Sequence, residues 1–409
     1  MRGLLRHRDA RLYLGGQLVS LFGDSCLWLA MGIWVKSLTG SSAAAGLTFF
    51  FFTAPTLFSP AAGLLVDRVR RRPLLIATNA LSGSVVLALL FVHDAGEVWV
   101  IYLVMSFYGL SYAVLGSAQS ALLTVMVPGD LLADANGALR TVQESLRLVG
   151  PLTGAALFVA VGAHTVALVD SATFVVPVLS LLFLRVREPA PAPMARHWRH
   201  EVVAGIAHVH RTAELRHAVV AGAIAASVFG FAETITYAIA GNGLHEPPAF
   251  VGVLVAVQGV GAILGGPTAA PLVRRIGEGR LMGIALIVAA LAALLAMPPR
   301  LAPVVVSFVL FGMAIPWFVV ALISLGQRLS PPQLQGRVFS AVDALITTPQ
   351  TLSIALGAAL ITAAGYRPLL VAMALVTLLA ACYLLTRPEQ RTARPAASAG
   401  VTATSPEAQ

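Results

Sequence analysis

Two acidic residues, Asp24 and Glu233, lie inside long apolar runs. An ionised carboxylate in hydrocarbon is costly, so such a group must face water, pair with a cation or take up a proton. Asp24 is spaced from Gln17, Ser20 and Trp28 by steps of three and four, which puts all four on one helix face. With a helix starting near Leu12, Asp24 falls about 18 Å along it, near the middle of a bilayer. Two readings stay open: a proton-titrating or cation-recognising group in a wet cavity, and a structural carboxylate bonded to a neighbouring helix. Glu233, with Gly230, Thr234 and Tyr237 beside it, is the second buried acid and is open to the same two readings. A third set is Arg140, Glu144 and Arg147, followed by Gly150-Pro151 and Gly154. Steps of four, three, three and four again define one face. Its opposite charges stand at pairing distance and leave a net single positive charge. Pro151 removes a backbone bond, and Gly150 and Gly154 let a partner helix approach closely. The candidate proton-coupling and substrate residues are therefore Asp24, Glu233, Gln17, Ser20, Arg140, Glu144 and Arg147.

The elements that position these groups follow from composition. Of 409 residues, 58% are hydrophobic and 11% charged, and the mean hydropathy is +0.85. Soluble domains are nearer 45–50% apolar and about 25% charged. The chain is expected to be an all-α integral membrane protein. The net charge of +9 sits in arginines of short loops and tails, with Lys36 the sole lysine. That distribution orients a membrane protein and gives no reason to expect nucleic acid as a partner. Cys26 and Cys382 are far apart in apolar runs and imply neither a disulfide framework nor a metal site. No phosphate-cradling Gly-x-x-x-x-Gly-Lys-Ser/Thr sequence and no Cys/His metal spacing occurs. The expectation is no cofactor, no metal and no enzymatic activity. His164, His208 and His210 are expected near the interfaces, in solvent.

Runs of about 20 apolar residues are long enough to span. Twelve are found, near 12–38, 43–66, 73–93, 97–127, 133–161, 164–186, 215–242, 249–273, 281–298, 302–327, 336–364 and 366–387. The basic segments at the N-terminus, at 67–72, at 185–216 and at 274–280 all fall on one side, which the positive-inside bias makes cytoplasmic, with both termini there. Residues 1–186 and 215–387 are expected to form two six-helix bundles. Between them, 187–214 is a cytoplasmic linker whose 197–217 stretch is suited to a surface amphipathic helix. Residues 388–409 read as a disordered tail. The bundles repeat each other: Gly63 and Gly266, Pro128 and Pro331, Gly154 and Gly357, and Gly162 and Gly365 are all 203 apart. Aromatic residues such as Trp28, Phe107, Tyr108, Tyr112, Phe229, Tyr237 and Trp317 are candidates to line a cavity.

The densest charge cluster, Gly63-Leu64-Leu65-Val66-Asp67-Arg68-Val69-Arg70-Arg71-Arg72, lies between the second and third runs. Its Gly63, Asp67, Arg68, Arg71 and Arg72 resemble the loop between helices 2 and 3 of the major facilitator superfamily. Gly150-Pro151-x-x-Gly154 resembles the fifth-helix motif of drug-exporting antiporters of that family. Gly16-Gln17, Ser20, Gly23-Asp24 and Leu38-Thr39-Gly40-Ser41 resemble the opening of its bacterial drug and siderophore exporter branch. The resemblance covers residues 8–388. It implies twelve helices in two pseudo-repeated bundles, a monomer, and proton-coupled efflux of small amphipathic molecules across the cytoplasmic membrane. It further implies that residues 63–72 form a gate, with Asp67 meeting the chain near Gly336, at the start of the eleventh run, when the cytoplasmic side shuts. An importer of a small metabolite, proton-coupled or facilitative, is the alternative.

Overall fold

The computed structural model describes residues 7–59, 66, 68–127, 131–186, 188, 198–331 and 334–390. Gly63, Asp67 and the tail from 391 lie outside the described residues, as do the side chains of Arg140, Glu144 and Arg147. The apolar runs fold as helices, and no strand occurs among the described residues. The first six are α1 Arg8–Thr39, α2 Ser42–Thr56, α3 Arg71–Phe91, α4 Val98–Met126, α5 Leu132–Val161 and α6 Ala163–Leu182. A connecting helix, Trp198–Arg211, follows. The last six are α7 Ala213–Gly243, α8 Phe250–Ile276, α9 Glu278–Leu295, α10 Leu301–Leu329, α11 Gln335–Ala364 and α12 Tyr366–Leu385. Ten of these twelve are long and apolar enough to cross a membrane. The other two are α2, described only in part, and α5, whose apolar portion is Val149–Val161.

The duplication is visible in the helix ends. Those of α4, α5 and α6 recur 203 residues on in α10, α11 and α12: Val98 and Leu301, Met126 and Leu329, Leu132 and Gln335, Val161 and Ala364, Ala163 and Tyr366, Leu182 and Leu385. The joints repeat too. Gly162 and Gly365 turn the chain at φ +79° and +74°, a backbone region that only glycine enters freely.

Two helices break where their sequences require it. Pro177 has no N–H for the Thr173 carbonyl, and α6 turns at Phe174. In α7 the break is at Gly230, which has no room for a side chain. A Cβ there would strike Ser353 Oγ, and its N–H donates to that oxygen at 2.8 Å. Beyond Ala238, α7 ends in a π-turn, Ile239–Gly243.

The connecting helix was expected on the membrane surface, but it docks on protein. A Cβ on Gly205 would strike the Arg337 carbonyl, and Val209 is buried in a core with Leu215, Leu325 and Val338. His208 was expected in solvent, yet it is half-buried with its Nε2 3.2 Å from the Leu329 carbonyl. His164 likewise meets the Val92 carbonyl at 2.8 Å, while His210 is exposed as expected.

The two sets of six helices meet mainly at one end. Call the end bearing Arg8, Arg71, Arg72, Arg274 and Arg328 the basic end. There each set has its own core. One contains Tyr13, Leu75, Leu122 and Leu181, and the other Leu215, Leu286, Leu325 and Leu384. At the opposite end a single core crosses between them: Leu29, Ile33, Phe49 and Ala155 pack with Phe231, Ile235, Tyr237 and Val251. Small residues allow this closure. Gly46 of α2 touches Thr234 of α7, Gly32 of α1 touches the Tyr237 hydroxyl, and Gly252 of α8 touches Ala155 of α5. Lys36, 9% exposed, sits at this closed end and donates to the Gly40 carbonyl at 2.7 Å and to Ser42 Oγ at 2.9 Å. Because it is the sole lysine, amine chemistry reports on this end alone apart from the chain terminus. In detergent, Lys36 of the parent should react slowly with an amine-reactive ester. Gly46→Leu should part α2 from α7 and accelerate the reaction severalfold, read by mass spectrometry of the Lys36 peptide. An unchanged rate would show that this contact does not hold the end shut.

Candidate functional site

Asp24 lies midway along α1 and is half-buried. It does not stand alone. The Tyr108 hydroxyl of α4 is hydrogen-bonded to Asp24 Oδ1 and lies 3.1 Å from Asp170 Oδ2 of α6. Asp170 is 1% exposed, and its other oxygen, Oδ1, has no hydrogen-bond partner. Phe174, at the α6 turn, packs edge-on against the Tyr108 ring with centroids 6.0 Å apart. The Thr173 hydroxyl donates to the Asp170 carbonyl at 2.7 Å. Gly23 makes the cluster possible, because a Cβ there would collide with Thr173 Oγ1 and Asp170 Oδ1. One turn or two toward the basic end, Gln17 and Ser20 are buried on the same α1 face, and Gln119 of α4 donates to Gln17 Oε1 at 2.7 Å. The face expected for Gln17, Ser20 and Asp24 therefore exists, and it packs against α4 and α6.

The Gly-Pro motif of α5 holds that helix to α1 at the level of Asp24. A Cβ on Gly150 would strike Ser25, and one on Gly154 would strike the Cys26 carbonyl. These are the two residues that follow Asp24. Pro151 lies between the two glycines inside α5. The charged positions Arg140, Glu144 and Arg147 belong to the same helix.

Glu233 is not part of this cluster. It is on α7, next to Thr234 and Tyr237, which pack on Gly46 and Gly32 at the closed end. Gly32 is eight residues past Asp24, about 12 Å along the helix. The duplication explains the mismatch. Gly154 meets Cys26 and its repeat Gly357 meets Phe231, so α7 repeats α1 at an offset of 205. The counterparts of Asp24, Tyr108 and Asp170 are Phe229, Phe311 and Met373, with Phe229 edge-on to Phe311 at 5.5 Å between centroids. Phe311 and Met373 line an apolar cavity in the second bundle together with Ile235, Ile239, Phe308 and Leu370. Among the described residues the polar cluster thus occurs once.

Of the basic loop, Arg68 is exposed, while Arg71 and Arg72 open α3. Their backbone N–H groups donate to the Glu188 carboxylate at 2.6 and 2.7 Å, a carboxylate capping a helix N-terminus. Arg72 also donates from Nε to the Leu181 carbonyl at 2.7 Å and from Nη2 to the Leu182 carbonyl at 2.8 Å. Both arginines therefore tie α3 to the end of α6, within the first six helices.

Asp170, Gln119 and Glu188 were not singled out from the sequence. Asp170 carried the same signal as Asp24, a lone acid within an apolar run. Tyr108 was singled out only as a cavity-lining aromatic. Gln119 and Glu188 are polar partners that only the packing reveals.

A duplicated bundle of twelve helices with a buried polar cluster in one half is the architecture of a secondary transporter. Comparison with known proteins agrees. The sequence model of the Major Facilitator Superfamily matches residues 13–244 and 218–407. The chain belongs to the Major Facilitator Superfamily; it is a multi-pass membrane transporter and not an enzyme. It is 25% identical over 175 residues to macrolide efflux protein A of Streptococcus pyogenes, a match spanning 42% of this chain and 43% of that protein. It is 29% identical over 360 residues to the multidrug resistance protein MdtG of Salmonella arizonae, spanning 85% of this chain and 86% of that protein. Among solved structures it resembles a bacterial homologue of the iron transporter ferroportin in an inward-facing state, at a TM-score of 0.72 and 16% identity over 92% of this chain and 98% of that one. It also resembles the nucleoside transporter NupG, at 0.74 and 11% identity over 92% of this chain and 98% of that one. These structural likenesses establish the fold.

Two measurements test the packing of the site. Gly154→Ala should destabilise the protein by about 1–3 kcal/mol despite alanine's better helix propensity, because the new methyl meets the α1 backbone. Gly116→Ala, where a Cβ meets nothing within 4 Å, should be neutral or stabilising by up to about 1 kcal/mol. Thermal unfolding in detergent ranks the two, and equal stabilities would contradict the close α1–α5 contact. Glu188→Gln keeps the shape of the cap and removes its charge, and should cost about 1 kcal/mol.

Proposed function

We propose that this transporter exports small amphipathic molecules, drug-like or siderophore-like, across the cytoplasmic membrane in exchange for protons. The observation that carries the reading is the unequal joining of the two bundles: one shared core at one end and separate cores at the basic end. That is the form of a crevice shut on one side, which alternating access requires. The positive-inside bias assigns the basic end, with both termini, to the cytoplasm. The conformation is then the one in which cargo loads from the cytoplasm or inner leaflet. The efflux proteins among the relatives support export.

In this cycle residues 1–186 and 215–387 rock as two bundles within one monomer, joined by 187–214, and the tail 388–409 takes no part. When the cytoplasmic side shuts, Gly63, Asp67 and Arg68 latch against the start of α11 near Gly336, while Arg71 and Arg72 remain anchored to α6. Protons drive the return through a carboxylate exposed to opposite sides in the two states, with Asp24 and Glu233 as the candidates. Gln17 and Ser20, together with the α5 stripe Arg140, Glu144 and Arg147, contact the cargo or tune the acid. The Gly150-Pro151-Gly154 segment holds α5 against α1 beside Asp24 through the cycle.

An efflux-deficient bacterial host tests the reading. The parent should raise tolerance to erythromycin, a macrolide, or to other amphipathic drugs in a panel. Asp24→Asn should return the host to its original susceptibility at equal expression, and Glu233→Gln should reveal whether the second acid is needed. Everted vesicles settle direction, since a pH gradient should drive labelled drug into them. Full transport by Asp24→Asn with or without a gradient, or extrusion from everted vesicles, would refute proton-driven export.

A further inference from the structure

We propose that Tyr108 is a proton relay connecting Asp24 to a sealed second carboxylate, Asp170, and that Asp170 holds the proton while the crevice changes sides. The inference rests on the proton-coupled reading above, and it names the proton's place in that site.

The argument begins with counting hydrogens. Tyr108 has one phenolic hydrogen, yet its oxygen is hydrogen-bonded to carboxylate oxygens of both Asp24 and Asp170. A hydroxyl donates once and accepts through its lone pairs. Both contacts are satisfied together only if one carboxyl carries a proton and donates to the phenol while the phenol donates to the other. Were both acids ionised, two negative charges about 5 Å apart at an effective dielectric near 20 would repel by roughly 3 kcal/mol. Among the described residues no cation is bonded to either acid. Cys26 is the other titratable group of α1 near them. On α3, residues 73–92 contain no ionisable side chain, and on α4 Tyr102 and Tyr112 accompany Tyr108. His164 of α6 is bonded to the Val92 carbonyl. The α5 stripe Arg140, Glu144 and Arg147 is carried on a helix packed against α1, and its side chains lie outside the described residues.

Exposure gives the relay a direction. Asp24 is half-buried, whereas Tyr108 is 8% and Asp170 1% exposed. Asp24 is the more exposed of the two acids, and the route from it to the buried one runs through the phenol. The transfer balances with no added reagent. A proton from water neutralises Asp24. Asp24 then donates that proton to the Tyr108 oxygen as the phenolic hydrogen passes to an Asp170 oxygen. The phenol is regenerated, Asp24 is again a carboxylate, and Asp170 is a neutral acid. The reverse sequence delivers the proton back to Asp24 when the crevice faces the other way. The unpartnered Asp170 Oδ1, buried against Gly23, is the atom that gains least from staying charged.

Infrared difference spectra of the purified full chain, between parent and variants in detergent, test this without any cargo. The parent should show a protonated-carboxyl C=O band near neutral pH that is lost in Asp170→Asn. In Tyr108→Phe the band should shift, because its hydrogen bond is gone. Its exchange after transfer to deuterated water should also slow severalfold, which a purely structural tyrosine would not cause. No Asp170-dependent band between acid and neutral pH, or an unshifted band exchanging at the parental rate in Tyr108→Phe, would overturn the relay. If Tyr108→Phe fails to fold, Asp170→Glu serves instead: its longer side chain must displace the band, and an unchanged spectrum counts against the proposal. The transport reading fails separately: a parent whose drug flux ignores a pH gradient refutes proton coupling, whatever the spectra show.

Discussion

The structure depends on keeping two carboxylates out of hydrocarbon by giving them to the same phenol. Asp24 and Asp170 come from the first and the sixth helix, and Tyr108 reaches them from the fourth. Unpaired, each buried acid would cost several kcal/mol. Sharing one hydroxyl, they form a compact polar knot that fixes the mutual position of three helices. The rest of the first bundle can be read as what allows α1 to approach that closely. Gly23 lets α6 in, and Gly150 and Gly154 let α5 in. In a membrane, where hydrophobicity does not drive helices together, such small residues supply the packing that association requires.

The same logic shuts one end of the molecule. There Gly32, Gly46 and Gly252 accept Tyr237, Thr234 and Ala155 from the other bundle, and aromatic rings seal the joint, with Trp28 and Phe49 at 4.6 Å and Phe49 and Tyr237 at 6.2 Å. Asp24 sits below this seal on the same helix. A tilt of α1 relative to α7 therefore changes both the seal and the exposure of Asp24. This is a mechanical route by which protonation and opening can be linked in the proposed cycle.

Much of this was legible in the sequence, and the missing part has a physical cause. The twelve runs, the break between bundles and the 203-residue duplication are one-dimensional signals, and the helix ends of α4–α6 and α10–α12 reproduce the duplication to the residue. The face of Gln17, Ser20 and Asp24 follows from helical period. The partners of that face do not, because α4 and α6 arrive from 84 and 146 residues away and nothing local encodes their rotation. Glu233 looked like a twin of Asp24 because both are acids in a helix that opens a bundle. The packing of α7 on α11 makes Phe229 the counterpart instead, and Glu233 lies one turn further toward the closed end. The connecting helix had the pattern of a membrane-surface helix, and the same pattern serves to dock on α11. The bundles also differ: where the first has Asp24, Tyr108 and Asp170, the second has Phe229, Phe311 and Met373. A duplicated fold gives two equivalent positions, and the sequence has made one polar and left the other apolar.

The closed end shows why such a fold need not rest permanently in one state. Thr48, Thr234 and Tyr237 are each at most 2% exposed there, and their hydroxyls have no hydrogen-bond partner. A buried hydroxyl without a partner costs about 1–3 kcal/mol. The shared apolar core favours closure, while these three groups oppose it, and water entering an open end would satisfy them. Burial of apolar surface and desolvation of hydroxyls thus act at the same contact with opposite sign. A purely apolar joint would have no such opposition, and opening would have to overcome the whole of its burial energy. A balance of this kind keeps the difference between shut and open small enough for a ligand or a single proton to reverse.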